Sequence, residues 1–181
     1  MPSLFFDSWR CNMRKILEVE GCSQYSTDVD EKYRSSACGP TTAYVMMNHL
    51  FGKQLVNKSV NDFYRMLGGT KIGLFKWRFK LNMRRYLGSG WVVEDCTVQQ
   101  AIAEIDAGRP VAVKFDKYFS LKFREKPLYA YHWVPMIGYD TSAELKLFIH
   151  DNGGRNRDSR IRSFYYEDQK SVLSFVRIAP R

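Results

Sequence analysis

Hydrophobic and polar positions alternate between two periods along this chain, helical spacing in the first half and strand spacing mostly in the second. Pro40 suits a first helical position, residues 41–51 follow without a breaker, and Gly52 supplies a stop, so a helix is predicted there. Ser59, with Asn61 and Asp62, caps a short helix through residues 63–67 that closes at Gly68 and Gly69. Thr97 and Gln100 form a capping-box signature for residues 101–107, ended by Gly108 with Pro110 beyond. Strand patterns then dominate: residues 111–115, a mostly apolar run over 131–140, and residues 145–151 after a turn at 140–144. The tail reads as a strand from 163, a short helical turn and a last strand over 173–178. Residues 74–87 carry a mixed signal. Phe75, Trp77, Phe79, Leu81 and Met83 alternate with polar residues as in a strand, but the length and the Leu, Met, Lys and Arg content favour a helix. Helices followed by neighbouring strands predict an α+β fold with an antiparallel sheet. No repeat or low-complexity linker divides it, so the expectation is an N-terminal arm over 1–17 and one domain over 18–181.

Chemistry concentrates at the predicted helix start. In Ser35-Ser36-Ala37-Cys38-Gly39-Pro40-Thr41 a thiol sits where backbone N–H groups and the positive end of the helix dipole favour thiolate over thiol. Such a sulfur is a candidate nucleophile that needs a base, a group to orient the base, and oxyanion donors. His132 opens the strand over 131–140, and Asp151 closes the next one. A hairpin of the two strands makes them cross-strand neighbours, the arrangement a base and its carboxylate require. Taken singly, each has an ordinary structural explanation: a buried thiol, a backbone-bonded histidine, a turn aspartate before Asn-Gly.

The combination resembles the papain-like cysteine peptidases of the bacteriocin-processing type, and more closely their stand-alone relatives without a transporter. Cys-Gly-Pro-Thr opening a helix, His-Trp-Val-x-x-x-Gly-Tyr-Asp, and a strand ending in Asp carry the resemblance, over residues 18–178. It implies a papain-like fold, no cofactor, and Cys38 as nucleophile, His132 as base and acid, and Asp151 as the residue orienting the imidazole. Gln24 matches the glutamine that donates to the oxyanion with the Cys38 backbone N–H. Many members place this glutamine a few residues before the cysteine, whereas here residues 26–34 must loop out. Ala37 replaces a commonly seen glycine, and the lost backbone freedom bears on the oxyanion pocket. The implied reaction is hydrolysis of a peptide bond in a peptide or small protein. Acyl transfer or amide hydrolysis by the same residues is the first alternative, and a peptide-binding module that has lost catalysis is the second.

Composition and charge narrow this only slightly. The 181 residues are 45% hydrophobic, enough for a buried core, and a monomer is expected. No apolar run reaches membrane-span length and no secretory signal opens the chain, so a cytoplasmic protein with reduced cysteines is expected. Cys11, Cys22 and Cys96 lack metal-ligand spacing, and His49 and His150 read as structural. A net charge of +9 is spread along the chain without a nucleic-acid motif. It points to a solvated surface, with weak attraction to an acidic peptide, an anionic polymer or a membrane surface, rather than to specific nucleic-acid binding. Residues 116–130, aromatic and placed before His132, form a plausible lip over a cleft.

Overall fold

The computed structural model describes residues 13–118 and 127–181. The elements run β1 (Arg14–Ile16), α1 (Glu31–Arg34), α2 (Cys38–Phe51), α3 (Lys53–Val56), α4 (Val60–Leu67), α5 (Lys76–Leu87), β2 (Trp91–Cys96) and α6 (Val98–Asp106). They continue as β3 (Val111–Asp116), β4 (Tyr131–Asp140), β5 (Lys146–Asp151), β6 (Arg160–Tyr165), α7 (Tyr166–Gln169), a 3-10 turn (Lys170–Val172) and β7 (Leu173–Pro180). The strands form one antiparallel sheet in the order β2-β7-β3-β4-β5-β6. β1 adds to β4 beyond the point where β3 leaves it, so residues 14–16 of the expected arm belong to the sheet. Both predicted capping boxes form, Ser59 with Asp62 and Thr97 with Gln100. Residues 76–87 are helical despite their period of two, because Phe79 and Met83, one turn apart, are the positions buried against the core. The sequence pattern did not single out β2, which pairs along its whole length with β7 at the sheet edge.

Two apolar cores cover the two faces of the sheet. α2, α4 and α5 pack on one face through Met46, Met47, Phe63, Phe79 and Met83 against Trp133 and Val176. α6 covers the other through Ala101, Ile102 and Ile105 against Val113, Val134 and Ile149. Trp133 is fully buried, stacks on Phe79 with centroids 4.9 Å apart, and donates its indole N–H to the Leu74 carbonyl.

A bulge in β4 decides where the end of β5 faces. Gly138 pairs with Phe148, but Met136 pairs with Ile149, so Ile137 is an extra residue. Continued to the strand end, the register after the bulge sets Asp151 opposite Val134, on the same face as His132. Without the extra residue Asp151 would oppose Pro135 and point to the other face. The expectation of cross-strand neighbours is thus refined: His132 and Asp151 meet diagonally, one pair apart. Beside the bulge, a Cβ on Gly138 would stand 2.4 Å from the Lys15 carbonyl oxygen, in the backbone of β1. Gly138→Ala is expected to cost about 1–3 kcal/mol in urea unfolding, whereas Gly90→Ala, which meets nothing within 4 Å, shifts stability by less than about 0.5 kcal/mol.

Candidate active site

α2 begins at Cys38 itself, with Ala37 as its N-cap and Pro40 inside the first turn, two residues earlier than Pro40 at a first helical position implies. The Cys38 backbone N–H therefore has no acceptor within the helix. Ala37 has φ −83°, a conformation open to any residue, so the start of the helix does not require glycine there. Glycine is required one residue after the sulfur: a Cβ on Gly39 would sit 2.8 Å from the Leu74 side chain. That contact seats the 70–74 turn over the helix start, and Tyr131 fixes it by donating to the Leu74 carbonyl and accepting from its N–H, at 2.9 and 3.0 Å.

The sulfur and the imidazole share a cleft of about 320 Å³, to which Gln24, Lys71, Tyr131 and Arg157 also contribute. His132 Nε2 lies 3.3 Å from Asp151 Oδ1, which leaves Nδ1 as the ring nitrogen free to meet the thiol. Burial alone would push the His132 pKa down. Hydrogen bonds and charge from Asp151 and Cys38 outweigh it and raise the ring to about 9. Asp151 is completely buried, and burial would raise its pKa, yet His132, Arg157 and Tyr129 hold it well below the usual carboxylate range. Its Oδ2 accepts from Arg157 Nη1 at 2.6 Å and from the Tyr129 hydroxyl at 2.8 Å, with Arg162 Nη1 at 3.5 Å. The carboxylate is gripped more tightly on its far oxygen than on the one facing His132.

Gln24 returns to the cleft despite its distance in sequence. Residues 26–34 fold into turns and α1, and Gln24 Nε2 closes the excursion by donating to the Arg34 carbonyl at 2.7 Å. One N–H of that amide remains, and its Oε1 is buried without a partner among the described residues. The residue that sequence reasoning missed is Asn152, read there as part of a turn. It is 1% exposed, and its Nδ2 lies 3.0 Å from the Cys38 carbonyl, 3.0 Å from Thr42 Oγ1 and 2.8 Å from the Trp133 carbonyl. Its own carbonyl accepts the Gln24 backbone N–H at 2.9 Å. The side-chain amide of one buried asparagine thus ties the start of α2 to the start of β4, and its backbone carbonyl ties in the Gln24 segment.

His49 bonds the Gly108 carbonyl, His150 packs on Gly21, and neither lines the cleft. Cys22, Cys38 and Cys96 are free thiols; Cys11 lies outside the described residues. Of the expected lip, residues 119–126 lie outside the described residues, but Tyr129 stands 4.6 Å, centroid to centroid, from the His132 ring. The basic helix α5 uses much of its charge internally: Lys76 and Lys80 pair with Asp95, Arg84 bonds the Val93 carbonyl, and Arg78 bonds the Gly68 carbonyl. No helix among the described residues is long and apolar enough to cross a membrane.

Helices packed on an antiparallel sheet in this arrangement give the papain-like fold shared with C39 peptidase domains. The profile of the Peptidase_C39 like family matches residues 16–172, and the chain belongs to that family. Its fold is similar to that of a putative C39-like peptidase from Bacillus anthracis, with TM-score 0.59 and 16% identity, covering 94% of this chain and all of that one. It is also similar to the peptidase domain of Streptococcus ComA, a bifunctional ABC transporter of a quorum-sensing pathway, with TM-score 0.52 and 17% identity over 84% of this chain and 95% of that one. UfSP from C. elegans matches 94% of this chain with 35% of its own, at TM-score 0.57 and 10% identity. No curated protein sequence matches the chain.

Because the His132 pKa is raised from 6.5 to about 9, the stability it contributes is complete below about pH 6.5 and lost as pH rises through 9. The depressed Asp151 contributes stability present above about pH 3.9 and lost as pH falls toward its folded value. In Asp151→Asn the imidazole loses its anionic partner, so an NMR titration of the three histidines is expected to show the His132 pKa fall by more than about one unit. An unchanged value would mean that the carboxylate does not act on the ring.

Proposed function

We propose that this protein is a cysteine peptidase in which Cys38 is the nucleophile, His132 the general base and acid, and Asp151 the residue that orients the imidazole. The observation that carries this reading is the buried His132–Asp151 contact, opening onto a cleft that contains a thiol at the first position of a helix. His132 takes the thiol proton, and the sulfur attacks the carbonyl carbon of a peptide bond. The free N–H of the Gln24 side chain and the Cys38 backbone N–H receive the oxyanion. The C–N bond breaks as the imidazolium gives its proton to the departing amine. Water then loses a proton to His132 and attacks the thioester, the C–S bond breaks, and the acid product leaves with the thiol restored. The substrate is a peptide or small protein, and no cofactor takes part in these steps.

Iodoacetamide labelling read by mass spectrometry tests the reading inside one molecule, because Cys22 and Cys96 serve as reference thiols. Burial pushes Cys22 above its ordinary pKa and Cys96 up to about 12, so both are expected to label slowly at pH 7. Cys38 is expected to label first, at least about tenfold slower in His132→Ala. Peptide cleavage is expected to disappear in Cys38→Ala. Equal, slow labelling of Cys22, Cys38 and Cys96 would favour a binding module, and preferential capture of the acyl group by an added amine would favour a transferase.

A further inference from the structure

The walls of the cleft carry a one-sided charge. Lys71 and Arg157 line it, together with His132, and no aspartate or glutamate does so among the described residues. Among the described residues the one carboxylate of the site, Asp151, is completely buried beneath the wall and already accepts from His132, Tyr129 and Arg157. Lys71 is exposed at the rim beside Ile72, and no carboxylate pairs with it among the described residues. A neighbouring cavity of about 590 Å³ shares Tyr25, Gly154 and Arg157 with the cleft and adds Arg155 and Asp158, which cancel in formal charge. The positive bias therefore belongs to the stretch that contains the sulfur.

Arg157 is built to face both ways. Its Nη1 holds Asp151 at 2.6 Å and its Nη2 reaches the Gly153 carbonyl at 3.3 Å, while its side chain stays 34% exposed. A guanidinium has five N–H donors, so donors remain after both contacts. Gly154 carries no side chain on that side: a Cβ there would stand 3.6 Å from Nε and Nη2. Asp151 in turn prevents the guanidinium from swinging into solvent, so the charge is held in place before any ligand arrives.

We propose, resting on the peptidase reading above, that the cleft selects peptides carrying an aspartate or glutamate within a few residues of the bond to be cut, with Arg157 and Lys71 receiving that carboxylate. A fixed, partly exposed arginine binds a carboxylate by charge-assisted hydrogen bonds, and a lysine at the rim adds attraction that salt screens.

The test uses internally quenched peptide pools in which each of the three positions on either side of the scissile bond is fixed in turn as Glu or Gln. At one position or more, Glu is expected to raise kcat/KM about five- to tenfold over Gln at low ionic strength, and the ratio to shrink in 0.5 M NaCl. Arg157 also holds Asp151, so Arg157→Gln lowers every rate; the readout is the Glu/Gln ratio, expected to fall to about twofold or less. Lys71→Gln, at the rim, is expected to lower the ratio partly, and the readout there is again the Glu/Gln ratio rather than the rate on either pool. Equal rates for Glu and Gln at every position, with Cys38 labelling rapidly, would overturn the proposal and leave the peptidase reading standing. If nothing is cleaved and Cys38 labels no faster than Cys22 and Cys96, the peptidase reading fails. Fluorescence anisotropy of labelled Glu and Gln pools on Cys38→Ala then decides the charge preference, tighter Glu binding supporting it and equal binding overturning it.

Discussion

The side-chain amide of Asn152 is the interaction on which the rest of the site depends. Apolar side chains interdigitate where a helix packs on a sheet, and a buried amide that must satisfy its donors adds a directional constraint that fixes one alignment. Asn152 Nδ2 reaches the Cys38 carbonyl and the Trp133 carbonyl, and Trp133 adjoins His132 in β4. The sulfur and the imidazole are thus set against each other through the backbone one residue from the ring, not only through their own contact. The same residue's carbonyl holds the Gln24 backbone, so the third component of the cleft is referred to the same point.

Parity then completes the arrangement. Asn152 faces α2 and Asp151, its neighbour, faces the opposite side of the sheet, as strand alternation demands. Only the extra residue at Ile137 brings Asp151 onto the face that His132 occupies. Once there, the carboxylate is held by two arginines and a tyrosine as well as by the imidazole. These contacts offset the cost of burying a charge completely, which an imidazole at 3.3 Å would not do alone. The His132 pKa still stands at about 9, raised by its hydrogen bond to Asp151 first and by Cys38 from the other side.

Much of this was legible in the chain before folding. Capping boxes at Ser59 and Thr97, the stop at Gly52 and the apolar run through 131–140 are local signals, and local chemistry decides them. Helix α5 was legible only by setting composition against period, since its alternating pattern belongs equally to a strand. The fold class and family followed from the Cys38 and His132 motifs. What stayed hidden depends on partners far away in sequence. Asn152 sits in Asp-Asn-Gly-Gly, whose local reading is a turn, and nothing nearby reveals that Cys38 and Trp133 will supply its acceptors. Arg157 and Arg162 look like two more members of a basic surface, and only the fold directs them at Asp151. The bulge at Ile137 leaves no mark beyond a glycine next to it. Gln24 was legible through the resemblance, but its return to the cleft required residues 26–34 to fold on themselves.

The central claim is that the sulfur, the imidazole and the carboxylate act as one unit, with Asp151 working only through His132. A double-mutant cycle on the Cys38 alkylation rate at pH 7 measures that directly. Asp151→Asn is expected to slow alkylation in the wild-type background and to have no further effect once His132 is alanine, as for residues that function together. Independent, multiplying effects of the two substitutions would contradict it.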